Sequence, residues 1–444
     1  MKFKTRLLAA AFATAVTTTA AFAQSETQPI AQPQINAAPG VNIFETLNPI
    51  TPAQRVTQTD RYADYEPRKS YSTGGLQVIP IVTTGAYYDD NVFALTANKL
   101  SDTAYFLRPE LALRSTNLNN AEVAANAFIE KRWYSRYDSE DQVNGAFSIA
   151  GSALINPNTQ IVGRAQYFHG NEERGAVNTI TNTFDRPISY NQGEIGGAIN
   201  NRWGRIWTSV GASALFIHYN DASTAGVITP QDYRNGNVVQ IPVRVGYVVA
   251  PQTSIFGEVA VNRRNFGVEE FDSDGYRVVG GVLWEAGPGA RIKGEIFGGY
   301  MHQDYNGASL LPVSTWTAGA AIAWLPAANW TVTFEARRDA REASLSGGTV
   351  AGDGVSVIQS LAALRADYRI APNLVIGAGI SYIHDDLAGI RDDESVSPLV
   401  SVRYFINKNF TAGLDYRHVD FSSSGVGIGG YLRNVYMASL NARF

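Results

Sequence analysis

From Gly75 to Phe444 the chain repeats a single pattern. Segments of about 10–14 residues alternate apolar with polar or small side chains, and turn residues separate them. Successive side chains on a strand point to opposite faces, so a two-residue period marks a strand with one apolar and one polar face. In Asn237–Val249, Val239, Ile241, Val243, Val245, Tyr247 and Val249 share a face opposite Gln240 and Arg244. In Phe410–Arg417, Phe410, Ala412, Leu414 and Tyr416 oppose Thr411, Asp415 and Arg417. Sustained helical stripes are scarce, and Gly and β-branched residues interrupt throughout. About 18 such segments are present (16 is the alternative), which predicts an all-β chain. Their centres fall near 81, 108, 128, 148, 164, 195, 212, 243, 259, 280, 296, 319, 334, 363, 379, 401, 414 and 438.

The connections alternate as well. One set is short and rich in Pro, Asn and Gly: Asn156-Pro157-Asn158, Ala250-Pro251-Gln252, Gly287-Pro288-Gly289, Ala371-Pro372-Asn373 and Asn407-Lys408-Asn409. Pro presets φ, and Asn or Gly tolerates positive φ, so these are tight-turn sequences. The other set is longer and acidic: 89–102, 170–187, 219–235, 266–274, 303–312, 339–354, 384–395 and 420–430. Short turns at one end and long loops at the other predict strands that run up and down in chain order, as in bacterial outer-membrane barrels.

The polar face decides between a soluble and a membrane barrel. It carries Arg108, Glu110, Arg114, Arg132, Arg164, Arg244, Glu258, Arg277, Arg291, Glu335, Arg337, Arg365, Arg403, Asp415 and Arg417, many of them near mid-segment. About 18 strands close around too wide a space for a dry core. These residues are therefore expected to line an aqueous interior, while the apolar face meets lipid and a closed ladder satisfies the backbone. Such charges tune a pore or pair across strands to stiffen the wall. A soluble propeller would need a four-strand repeat, and none is visible. Charged residues are 17% of the chain, below the roughly 25% of soluble domains. Cys is absent, which excludes Cys-based metal sites, disulfides and thiol catalysis. A net charge of −4 argues against general nucleic-acid binding.

The two ends carry addresses. Lys2, Lys4 and Arg6 precede an apolar stretch from Leu7 to Val16 and an Ala21-Phe22-Ala23 cleavage pattern, so 1–23 is expected to be a signal peptide. Residues 24–74 are rich in Gln, Pro and Ala and are expected to form a mostly disordered periplasmic linker. The barrel is expected over 75–444. At its end Tyr436, Leu440 and the terminal Phe444 fall on one face. This resembles the C-terminal signal by which the barrel-assembly machinery recognises outer-membrane barrels for insertion. Both termini are expected in the periplasm, which requires an even strand number, with lipid and lipopolysaccharide expected around the wall.

Aromatic residues are expected to mark the two membrane interfaces. Trp133, Tyr134, Tyr137, Tyr167, Phe168, Tyr219, Tyr300 and Tyr382 lie toward the long-loop ends. Trp203, Trp207, Trp284, Trp324 and Trp330 lie toward the short-turn ends. The five His, at 169, 218, 302, 384 and 418, also fall near the long-loop ends. No compact His-x-Ser pair, nucleophile elbow, phosphate-binding loop or zinc motif accompanies them. Acidic loop pairs such as Asp385-Asp386 and Asp392-Asp393 lack calcium-loop spacing. The residues thus point to no enzyme, cofactor or resident metal.

The barrel opens with Gly85, Ala86, Tyr87, Tyr88, Asp89, Asp90, Asn91, Val92 and Phe93, then Ser101 and Asp102, then a strand containing Pro109. This resembles the Putative beta-barrel porin 2 family of proteobacterial outer-membrane proteins. That family begins its barrel with a similar Tyr-Asp-Asn-hydrophobic stretch, a Ser-Asp pair and a Pro-containing second strand. Some relatives accompany exopolysaccharide or capsule export genes. The resemblance therefore implies a passive porin-like channel associated with polysaccharide export components, and it supplies no catalytic residues. The alternatives are a lipid-modifying enzyme of the outer membrane and a closed structural or receptor barrel presenting acidic loops.

Overall fold

The expected strands form, and their ladder closes on itself. The computed structural model describes residues 71–73, 75–115, 120–175, 184–285, 291–307, 311–343, 355–387, 391–424 and 429–444. The strands are β1 (Leu76–Asp89), β2 (Asp102–Ser115), β3 (Ala121–Tyr134), β4 (Gln142–Asn156), β5 (Thr159–Asn171) and β6 (Ser189–Trp203). They continue as β7 (Ile206–Tyr219), β8 (Gly236–Ala250), β9 (Thr253–Phe266), β10 (Ser273–Trp284), β11 (Ile292–Tyr305) and β12 (Val313–Trp324). The last six are β13 (Trp330–Ala343), β14 (Val355–Ala371), β15 (Leu374–Leu387), β16 (Arg391–Phe405), β17 (Phe410–Ser423) and β18 (Tyr431–Arg443). Each pairs antiparallel with its successor, and β1 pairs with β18 from Ile81 opposite Arg443 to Asp89 opposite Val435. The fold is a closed, up-and-down barrel of 18 strands. β1 runs past the end of β18, and there Tyr71–Thr73 folds back to cover its edge opposite Leu76–Val78. The expected signal peptide and most of the expected linker lie outside the described residues.

Turn chemistry explains the short end. Two residues join β4 to β5, β6 to β7, β8 to β9 and β14 to β15. Gly204 and Gln252 adopt φ of 62° in two of these turns. The side chain of Asn407 accepts the amides of Asn409 at 2.8 Å and Phe410 at 3.0 Å, which tightens the β16–β17 turn. At the other end, connections range from 17 residues between β5 and β6 to three between β15 and β16. The segment 384–395, expected as a loop, is instead mostly strand. Charges on both faces there hide the alternation, yet strands that project beyond a bilayer need no apolar face.

One face of each strand is open and the other is enclosed. On β8 the six apolar side chains from Val239 to Val249 point outward, while Gln240 and Arg244 are buried inside. Full burial of such side chains is worth about 1.5–3 kcal/mol each, so a single strand carries several kcal/mol of preference for hydrocarbon. Trp133, Tyr167, Tyr300, Tyr382, Trp203, Trp324 and Trp330 face outward as expected for interface residues. Trp207, Tyr134, Phe168 and Tyr219 do not: their parity turns them inward. Trp207 packs with Phe256, Val279, Leu283 and Phe297 on the inner wall of β7 and β9–β11. Among the described residues, the interior thus holds several separate apolar patches among its charges.

Candidate functional site

The inner wall is a set of charge ladders made by residues that strand parity points inward. Glu110 on β2 lies 3.4 Å from Arg108 and accepts the Asn126 amide of β3 at 2.7 Å. Arg244 on β8 donates to Glu258 of β9 and reaches Glu295 of β11 at 2.8 Å, while Arg277 of β10 donates to the other Glu258 oxygen at 2.6 Å. The Arg244 guanidinium also lies 4.2 Å from the Phe256 ring centroid. Further pairs are Arg132 with Glu130, Arg164 with Glu194, Arg365 with Asp367, and Arg403 with Asp415. A charge enclosed in a wall needs a partner, and these pairs supply it.

The first and last strands are joined by charge. Asp89 on β1 accepts from Nε of Arg433 on β18 at 2.8 Å and from its Nη2 at 2.5 Å. Asp90 accepts both the backbone and side-chain amides of Asn434. Asn91 donates to the Leu95 and Leu432 carbonyls, and its oxygen accepts the Leu95 amide. Asp102 accepts the amides of Thr103, Arg136 and Tyr137. The Tyr-Asp-Asp-Asn stretch and the Ser-Asp pair therefore build the barrel seam and the loops above it.

The first residues of the β5–β6 connection, 172–175, form a strap that turns into the interior. Glu173 lies 3.7 Å from Arg417 on β17 and 3.8 Å from Arg433 on β18, although β1–β4 separate β5 from β18 along the wall. Its neighbours anchor it on both sides. Glu172 pairs with Arg234 of the β7–β8 connection, and Arg174 donates to Glu140 of the β3–β4 connection at 3.0 Å. Arg174 also donates to the Phe184 carbonyl at 2.7 Å and lies 5.5 Å from the Phe93 ring. Beneath this strap is a recess of ≈ 40 Å³ between charged and aromatic groups, among them Arg108, Glu130, Arg132, Tyr134, Glu173 and Arg433. Farther out, Asp185 accepts the Ser223 hydroxyl at 2.6 Å and the amides of Ala225 and Gly226 at 2.8 and 3.0 Å. These bonds, the Ser223 bond foremost, hold its carboxyl below the usual Asp range.

Strand parity places 14 of the 15 polar-face residues named from sequence on the inner wall, and Arg291 is the exception, exposed in the turn before β11. Tyr436 and Leu440 face outward, and Phe444 is exposed just past the end of β18. Glu172, Glu173 and Arg174 were legible only as loop charges. Nothing in their spacing marks an inward turn, because their partners lie on distant elements. On the outer wall, His302 Nδ1 lies 2.7 Å from Ser314 Oγ, a cross-strand pair between β11 and β12. Among the described residues, no group of three or more His, Cys, Asp or Glu has the arrangement to hold a metal.

A family model described as Putative beta-barrel porin 2 matches residues 65–444. No match was found among curated proteins. Solved structures that resemble the chain include a BenF-like porin from Pseudomonas fluorescens Pf-5, at 12% identity over 84% of this chain and 99% of that chain, TM-score 0.43. Pseudomonas aeruginosa OccK2 (OpdF) is 11% identical over 83% and 98%, TM-score 0.43. The copper transporter OprC is 9% identical over 85% and 82%, TM-score 0.42. Assignment rests on the family match and the closed barrel alone.

Proposed function

Because the chain belongs to the Putative beta-barrel porin 2 family and is an outer-membrane β-barrel of porin-like fold, we propose that it is a passive channel for small hydrophilic solutes. Its passage is narrowed by the β5–β6 strap, and the long loops face outward while both termini lie in the periplasm. Lipid and lipopolysaccharide surround the wall, and the barrel-assembly machinery inserts it. The carrying observation is Glu173 standing between Arg417 and Arg433 inside a charged wall. The fixed guanidinium groups favour anions, and Glu173 offsets part of their charge.

Planar-bilayer conductance of the refolded protein under a salt gradient tests this. Steady conductance with a reversal potential toward anions is expected, and Glu173→Gln raises both conductance and anion preference. Silence of both proteins, or clear cation preference of both, overturns the reading. Exopolysaccharide passage draws no support from the interior. Trp207, Phe256 and Phe297 on the inner wall are buried and offer no open ring for a sugar to stack on.

A second reading, an enzyme acting on membrane lipid, has one observation in its favour: the exposed His302–Ser314 pair. Acyl transfer also needs a group that orients the His and donors for the oxyanion. The ladder already engages the surrounding backbone. Lipid turnover lost in Ser314→Ala would promote this reading. The same assay on His418→Ala and His384→Ala checks two of the other outer-wall His.

A further inference from the structure

At the long-loop end of the interior, oxygen-bearing side chains stand in a lateral row. Register pairs Asp339 of β13 with Gln359 of β14, Gln359 with Asp385 of β15, and Asp385 with Asp393 of β16. Gln359, Asp385 and Asp393 are only 3%, 1% and 2% exposed. Val357 and Leu387, one inward position nearer the rim, cover them as a buried apolar pair.

The hydrogen bonds of the row leave it short of donors. Gln359 donates to Asp385, so its side chain lies within the row. Arg391 donates through Nε at 3.1 Å and Nη2 at 2.5 Å, both to Oδ2 of Asp393. Asp385 Oδ1, Asp393 Oδ1 and Gln359 Oε1 are shielded from solvent and accept no hydrogen bond. An unsatisfied buried polar group costs about 1–3 kcal/mol, and more when charged. Three such oxygens on directly opposed neighbouring residues call for an electropositive partner. Directly opposed residues have Cβ atoms about 4.5–5.5 Å apart, so their oxygens can share a sphere of the roughly 2.3–2.6 Å radius that calcium takes. Two carboxylates and an amide carbonyl form an all-oxygen, hard-cation set.

We propose that Asp385, Asp393 and Gln359 bind a calcium ion on the inner wall near the long-loop rim, tying β14, β15 and β16 together. Water completes its coordination. With two acids, one of them shared with Arg391, the site belongs to the weak extracellular class of about 10⁻⁴–10⁻³ M. The assignment stands apart from conduction, since it concerns the wall and not the strap.

Calorimetric titration of the detergent-folded full chain with calcium chloride, after chelator treatment, is the test. One ion per chain is expected. Asp385→Asn and Asp393→Asn should each weaken binding about tenfold or more, the result expected for loss of a charged ligand. Asp392→Asn, on the outer face of the same hairpin, should bind as the parent does. Retention of the heat-modifiable band confirms that each variant is folded. If an Asp variant does not fold, Gln359→Leu replaces it and should weaken binding several-fold. The proposal is overturned by no binding up to about 10 mM, tenfold beyond the weak end of that class. Parent-like affinity in folded Asp385→Asn or Gln359→Leu also overturns it, as does an equal loss in Asp392→Asn.

Discussion

Asp185 shows how one carboxylate holds loops together. Its three bonds join the β5–β6 connection to the Ala222–Thr229 hairpin. Because the folded carboxyl is held below its ordinary value, led by the Ser223 bond, the clasp is fully formed above the ordinary Asp pKa of about 3.9. It is lost only as pH falls through the lowered value. Amide exchange at Ala225 and Gly226 should therefore stay protected at mildly acid pH and open in stronger acid. Asp185→Asn should leave both amides fast at neutral pH, and equal protection in that variant would remove the clasp. Little of this was legible beforehand. Parity placed Arg244 and Glu258 on the inner face, because alternation is a local property. The pairing of Glu173 with Arg417 and Arg433 depends on where a loop travels, and alternation carries no information about that.

Strands were the most legible elements. Their midpoints lie within about three residues of the expected centres, since lipid on one side and charge on the other force a strict two-residue period. The misread element was 384–395, where charges on both faces conceal a hairpin. Trp207 was misplaced for a related reason: an aromatic near a strand end reads as an interface residue until its parity is applied. Its ring lies over Gly246 of β8, where an added Cβ would fall among the indole atoms. Gly246→Val should destabilise the barrel by about 1–3 kcal/mol through overpacking, read as a lower urea midpoint for the folded band. Gly257→Ala, with open space at its Cβ position, should leave that midpoint unchanged. Trp207→Ala combined with Gly246→Val should recover part of the loss. A midpoint unmoved by Gly246→Val would show that the ring yields.

Closure governs the whole molecule. Tyr436 and Leu440 face outward on the strand that completes the ladder, and Phe444, exposed just past its end, donates its amide to the Pro80 carbonyl of β1 at 3.0 Å. Phe444→Ala should lower the heat-modifiable fraction recovered in the outer membrane several-fold, whereas Phe444→Tyr should assemble normally. Equal recovery of both would remove the terminal ring from assembly. The closed form was legible because no other arrangement of so many amphipathic strands satisfies both lipid and backbone. The bond between Asp89 and Arg433 joins positions 344 residues apart in sequence. That distance sets a timetable: the opening strand must wait, with one flank bare, until the final strand has been delivered. A nascent copy stalled anywhere before Arg433 would carry two sticky rims and invite pairing with a stranger, so whatever chaperones this chain must guard its beginning longest.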